Sequence, residues 1–231
     1  MAMTQKQQGN RRFVLFNVNG LGTLFQYYPW NTLRNSYDEV FRYLDADVVS
    51  LQELKMGSNA ISAVADLRDY RSFITIPKTR KGYSGVGLFV KNEIPVLKAE
   101  EGITGWLRCQ NVAYRDLGAA LIGGYPLEEE LSSDRALKLD SEGRCVIAEL
   151  PNDLVVASVY CPANSMATDE GEEFRLEFLH VLLTRLRKLH DMGKKIILFG
   201  DINVALDLID SAEAIDERIK NNLISPNGVY T

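Results

Sequence analysis

Two periods of apolar spacing trade places along the chain. Phe13–Val18 is a short apolar run with β-branched and aromatic content and predicts a strand, whereas Asn31–Leu44 places Leu33, Tyr37, Val40, Phe41 and Leu44 at helical spacing. Asp47–Leu51 is a second strand-sized run, followed by a helix-compatible segment over Ser58–Leu67 and by strands over Arg71–Pro77, Gly82–Lys91 and Val96–Glu101. The signal is weakest over 103–143: a strand near Gly105–Tyr114, a glycine-rich loop at Gly118–Gly124 and an acidic helix over Leu127–Leu139. Arg144–Leu150 and Asp153–Tyr160 flank a turn at Pro151-Asn152-Asp153 and predict a hairpin. Asp169–Met192 is the clearest helix. Asp169 with Glu172 resembles a capping box, Phe174, Phe178, Leu182, Leu186 and Leu189 form one apolar stripe, and Gly193 is placed to end it. Lys195–Gly200 follows as a buried strand. Strands interleaved with amphipathic helices, with no Pro/Gly/Ser linker between them, predict an α/β layered domain over 11–231 after a disordered tail at 1–10.

Composition narrows the classes. At 231 residues, with 46% hydrophobic and 25% charged positions, the chain has apolar material for a proper core, and disordered, collagen-like and coiled-coil readings drop out. No apolar run approaches the roughly 18–20 residues that cross a bilayer, and the first ten residues lack a secretory apolar stretch. Cys109, Cys145 and Cys161 are too few and too scattered for a disulfide framework or a zinc cluster, which points to an intracellular soluble protein with no membrane partner. The net charge of −5 argues mildly against a polyanionic partner, but Lys78, Arg80 and Lys81 crowd one stretch and leave room for a positive rim on an acidic body.

Four apolar strands end in polar residues of one chemical kind. Phe13–Phe16 runs into Asn17 and Asn19, Val48–Leu51 into Gln52-Glu53, Leu154–Val159 into Tyr160 and then Asn164, and Ile196–Gly200 into Asp201 and Asn203. Crevices at strand ends are the usual sites in layered α/β proteins. Side chains two apart in extended chain point the same way, so Asn17 with Asn19, and Asp201 with Asn203, can each address one cavity. Carboxylates and amides suit a hard cation such as Mg²⁺, with Mn²⁺ as a substitute, and a cation so held serves phosphate-ester hydrolysis. His180 and His190 fall on different faces of the long helix, away from this set. Taken singly, each residue also has a purely structural use: Asp201 can cap a turn, Asn17 and Asn19 can close an Asx-turn before Gly20, Glu53 can end a strand in solvent and Tyr160 can pack on a sheet.

The ordered set Phe16–Gly20, Leu51–Lys55, Lys81–Gly87, Ser141–Arg144, Tyr160–Pro162 and Gly200–Val204 resembles the endonuclease/exonuclease/phosphatase superfamily. Within it the chain is similar to the exonuclease III-like apurinic/apyrimidinic endonucleases; Tyr160–Asn164 and Glu100–Gly105 look most like the fungal type 2 enzymes. The resemblance implies a four-layer sandwich of two mixed β-sheets flanked by helices. It also implies Mg²⁺-dependent cleavage of the DNA backbone 5′ to an abasic site in base excision repair, with trimming of 3′ ends. The partner would be double-stranded DNA carrying abasic sites or blocked 3′ ends, and the place of action the nucleus. It assigns metal-binding to Asn17, Glu53, Asp201 and Asn203, with Asn19 beside them. Catalysis falls to Asp201 as activator of the attacking water, Asn203 as its orienting amide and Tyr160 on the scissile phosphate. Asn19, Lys81, Tyr83, Arg144 and Asn164 would hold substrate, although Ala163 stands where relatives often place an amide.

The same pattern calls for a later aspartate and a terminal Ser-Asp-His element. After Asn203 only Ala205–Asp210 and a polar stretch ending Ser225–Thr231 follow. The expectation is a catalytic domain incomplete at its C-terminus, with open sheet edges and reduced activity. Two other functions stand beside it: a catalytically inactive DNA-binding fragment of the same fold, and a phosphatase for small phosphates.

Overall fold

The computed structural model describes residues 6–109, 111–207, 210 and 212–223. One four-stranded sheet contains β1 (Phe13–Asn17), β2 (Val48–Gln52), β3 (Tyr70–Thr75) and β4 (Val86–Lys91) in the order β1-β2-β4-β3. The second contains β5 (Lys98–Glu101), β8 (Cys145–Leu150), β9 (Leu154–Tyr160) and β10 (Lys195–Asp201) in the order β10-β9-β8-β5. A small ribbon of β6 (Arg108–Cys109) and β7 (Val112–Ala113) lies between β5 and β8 in the chain. The two sheets repeat one plan. An edge strand pairs parallel with its neighbour across a helical crossover, β1 to β2 through α1 (Tyr37–Leu44) and β9 to β10 through α4 (Asp169–Asp191), and the remaining pairs are antiparallel.

Alternation along the strands builds the layers. Val48 in β2 and Val156 in β9 face the other sheet and pack with Leu88, Val90, Val146 and Leu150. Val49 and Leu51 face outward against Val40, Phe41 and Leu44 of α1 and Val64 of α2 (Ser62–Ala65). Val155, Ala157 and Val159 face Phe178, Val181, Leu182 and Leu189 of α4 and Leu139 of α3 (Ser133–Asp140). The order is therefore helices, sheet, sheet, helices, the four-layer α/β sandwich expected. Burying each large side chain of the α4 stripe contributes about 1.5–3 kcal/mol. The apolar appearance of β2 and β9 hides polar positions in the inter-sheet layer. Ser50 and Ser158 share a hydrogen bond of 2.5 Å across the sheets, and the Gln52 amide donates to Ser50. This buried link lies one residue before Glu53 and two before Tyr160, so it sets the two strand ends against each other.

Element boundaries moved where local chemistry outweighed periodicity. The helix expected from Asn31 starts at Tyr37, because Arg34 and Asn35 adopt φ of 50° and 55° and Ser36 accepts from the Glu39 N–H as N-cap. Ser58–Leu67 forms only a short 3-10 turn and α2. The strand expected from Gly82 starts at Val86, after left-handed residues at Gly82, Ser84 and Gly85. The strand expected over Gly105–Tyr114 is the β6–β7 ribbon followed by 3-10 turns over Tyr114–Ala120. The acidic helix is confined to α3. The hairpin turn is as read, with Asn152 and Asp153 at φ of 65° and 60°. The cap of α4 is Thr168, whose hydroxyl accepts from the Gly171 N–H at 3.1 Å, and Asp169 is the first helical residue instead of the cap. Thr168→Ala should lower unfolding free energy by about 1 kcal/mol in urea titration; no change would assign the cap elsewhere. A helix that periodicity did not reveal, α5 (Ala212–Lys220), follows β10. Of the expected tail, residues 1–5 lie outside the described residues, and Lys6 reaches Asp47 at 3.1 Å. The stretch 224–231 also lies outside them. Among the described residues no helix is long and apolar enough to cross a membrane.

Candidate active site

The parallel pairs bring four strand ends together: Asn17 of β1 lies beside Gln52 of β2, and Asp201 of β10 beside Tyr160 of β9. Each edge strand ends in the same local device. The Asn17 side-chain oxygen accepts the Asn19 N–H at 2.9 Å, and one Asp201 oxygen accepts the Asn203 N–H at 3.0 Å. These are Asx-turns, and they place Asn19 and Asn203 at φ of 44° and 50°, where asparagine is tolerated. The remaining side-chain atoms of the two leading residues then face each other. Asn17 Nδ2 donates to Glu53 Oε1 at 2.8 Å and to Asp201 Oδ2 at 2.9 Å, joining one carboxylate from each sheet. Glu53 itself has φ of 54°, a strained conformation for that residue, so the backbone turns its carboxylate toward the other sheet.

Lys55 completes the Glu53 end, 2.8 Å from Glu53 Oε2 and 2.5 Å from Asn19 Oδ1. Burial alone would raise the Glu53 pKa, but hydrogen bonds from Lys55 and Asn17, the Lys55 charge and the Tyr160 phenol together lower it. Tyr160 is pushed the other way, up to about 12, by burial and by the neighbouring Glu53 charge, with Arg144 opposing. At neutral pH the carboxylate is therefore ionised and the neighbouring phenol intact. A hollow of about 620 Å³ opens at the ends of β1 and β10, lined by Asn17, Asp201, Asn203 and Asp210. A second, of about 300 Å³, is lined by Tyr83, Lys138, Arg144, Ala163 and Phe174.

Asn17, Glu53, Tyr160, Asp201 and Asn203 thus come together, although not through the two-residue alternation expected of extended chain, since Asn19 and Asn203 are left-handed. Asn17 turns its NH₂, not its oxygen, toward the carboxylates. The Asn203 NH₂ donates to the Cys161 carbonyl at 2.8 Å, and Asn19 stands outside the carboxylate pair, on Lys55. Asn164 is spent on its own loop: it donates to the Thr168 carbonyl at 2.9 Å and accepts from the Thr168 N–H at 3.2 Å. Lys81 is exposed in the turn leading to Tyr83. Arg144, expected on a phosphate, is only 3% exposed. His180 and His190 are exposed on α4, away from the strand ends. Lys55, Arg80 and Glu142 join the site without having been singled out for it; Lys55 and Glu142 could have been found as the charged residues two from Glu53 and Arg144. Among the described residues no three His, Cys, Asp or Glu side chains gather as a metal cage. Two carboxylates and nearby amides form a donor set that fits a hard divalent cation retaining most of its own water, and does not fit zinc.

A profile described as the Endonuclease/Exonuclease/phosphatase family matches residues 14–218. The chain is similar to the DNA-(apurinic or apyrimidinic site) endonuclease 2 of Saccharomyces cerevisiae, 47% identical over 227 residues covering 92% of this chain and 44% of that protein. It is also similar to the protein of the same name from Schizosaccharomyces pombe, 40% identical over 219 residues covering 92% and 40%. It therefore spans less than half the length of these relatives. Among solved structures it is similar to the Xenopus laevis APE2 catalytic domain, with a TM-score of 0.68 and 26% identity over 94% of this chain and 69% of that one. Strand-end carboxylates held by one amide, the repeated sheet plan and the matched span lead to one conclusion: the chain belongs to the Endonuclease/Exonuclease/phosphatase family.

Proposed function

We propose that this chain carries the catalytic core of a DNA-repair phosphodiesterase that hydrolyses the backbone 5′ to abasic sites and trims 3′ ends, acting in the nucleus in base excision repair. The observation that carries the reading is the Asn17 amide bridging Glu53 and Asp201 from opposite sheets. The names of the relatives, endonucleases of apurinic or apyrimidinic sites, support this substrate class. Glu53 and Asp201 would hold Mg²⁺ or Mn²⁺, with Asn17 and Asn203 beside them, and the cation would supply charge stabilisation at the phosphate. Asp201 accepts the proton of the attacking water. Tyr160, still protonated at neutral pH, donates to the oxygen on which charge develops. Lys81 and Tyr83 offer backbone contacts that position a duplex without reading its sequence.

The test offers the chain a duplex with one abasic site, an intact duplex and a phosphoinositide, each with Mg²⁺ and with a chelator. Metal-dependent incision 5′ to the abasic site is expected; turnover of the phosphoinositide alone would replace the nuclease with a phosphatase. A second reading, binding of DNA without cleavage, is favoured by the absence of a third acidic or histidine ligand among the described residues. It would be selected by retention of the abasic duplex in a mobility shift without any incision.

A further inference from the structure

Arg144 lies against Tyr160, yet it is built as an interior part. It is 3% exposed, and four of its five N–H donors are taken by protein partners. Nε and Nη2 donate to Glu142 Oε2 at 3.2 and 3.1 Å, Nη1 donates to the Tyr160 carbonyl at 3.2 Å, and Nη2 also donates to the Tyr83 hydroxyl. Its Cζ sits 5.1 Å from the centre of the Tyr83 ring and 5.0 Å from that of Tyr160. Arg80 covers Tyr83 further out, with Cζ 4.7 Å from the ring centre. The result is an alternating stack, Arg80–Tyr83–Arg144–Tyr160, whose inner end is the Tyr160 ring. Gly143 makes the stack buildable. Its φ is 63°, and a Cβ there would lie 2.4 Å from the Ile76 carbonyl carbon, so only glycine lets the chain pass against Ile76–Pro77 and enter β8 opposite Tyr160.

A guanidinium committed to a carboxylate, a carbonyl, a hydroxyl and two rings has no open fork for a phosphate. We infer that Arg144 is a positioning residue for Tyr160, holding its ring and carbonyl from within the stack, while phosphate contact is left to the exposed groups around it. This rests on the phosphodiesterase reading above for its kinetic consequence, but not for its geometry.

The experiment uses Arg144→Met, which keeps the stem and removes the fork, and Arg144→Lys, which keeps stem and charge. Three quantities are read on the parent and both variants: single-turnover incision, the salt dependence of abasic-duplex binding in chelator by fluorescence anisotropy, and the Tyr160 resonance in protein carrying [13Cζ]tyrosine, assigned with Tyr160→Phe. The inference expects both variants to lose about 10–100-fold in the chemical step, with KM and the salt slope at parental values and the Tyr160 resonance displaced or broadened. A rise in KM with the salt slope smaller by about one, and an unmoved Tyr160 resonance, would make Arg144 a phosphate ligand and overturn it. Should Arg144→Met fail to fold, Arg144→Lys decides by the same readouts. If the parent cleaves nothing, the nuclease reading falls, and the resonance still supports or overturns the placement of Tyr160 by Arg144.

Discussion

Asp201→Asn is expected to reduce metal-dependent incision of abasic DNA by about 10²–10⁴-fold, with unfolding midpoint close to that of the parent. The substitution is nearly isosteric, and the new amide oxygen can still accept the Asn203 N–H that Asp201 accepts at 3.0 Å, so the Asx-turn ending β10 survives. The other side of the carboxylate does not survive. Asp201 Oδ2 takes a hydrogen from Asn17 Nδ2 at 2.9 Å, and an NH₂ in its place would face another donor. Asn17 would then hold Glu53 alone. The variant removes at once the base for the attacking water and one of the two carboxylates suited to the cation. Single-turnover incision at saturating enzyme separates this loss from weaker binding. A decrease of less than ten-fold would mean that the proton goes elsewhere, and the role given to Asp201 would have to be withdrawn.

Arg185→Met should lower unfolding free energy by about 3–5 kcal/mol, measured by urea titration, a larger stability loss than any surface change would give. Arg185 is fully buried in α4 and pairs with Glu100 of β5, whose side chain is 1% exposed. The Tyr125 hydroxyl donates to the other Glu100 oxygen, the Tyr125 ring lies 4.1 Å from the Arg185 Cζ, and Arg185 donates to the Ile103 carbonyl at 3.2 Å. Methionine fills much of the same volume, so the loss measured is that of the charge and its hydrogen bonds, not of a cavity. What remains is a carboxylate stranded in an apolar layer, and an uncompensated buried charge is among the most costly defects a core can carry. The network also holds the segment after β5: Asp140 accepts from the Ile103 and Thr104 N–H groups at 2.6 and 3.2 Å. A change below 1 kcal/mol would show that the pair is already relaxed by water and that the second sheet does not depend on it.

Neither Arg185 nor Glu100 could be recognised in advance as a buried pair, and the reason is general. Arg185 falls on the apolar face of α4 between Leu182 and Leu189, but one charged residue in a helical stripe does not name its partner, here 85 positions earlier. The polar link in the inter-sheet layer was hidden in the same way. Ser50, Gln52 and Ser158 sit in strands so apolar that the alternation of faces cannot be seen, and only the facing sheet shows that they meet. The helix signal was equally silent about α5, whose nine residues carry too few large apolar positions to stand out.

The strands, the long helix, the layered class and the kinds of residue at each strand end were legible because they are local: periodicity, turn chemistry and composition act over a few residues. The identity of the candidate site was legible too, since Asn17, Glu53, Tyr160 and Asp201 each follow an apolar strand in recognisable order. What each does there was not. That Asn17 offers nitrogen to both carboxylates, that Asn164 braces its own loop and that Arg144 is an interior wedge depend on which atom of a side chain is already committed to a partner. Hydrogen-bond commitments between segments far apart in the chain exist only once both sheets have closed on each other, so the sequence determines the chemistry available at this site and the tertiary structure decides how it is spent.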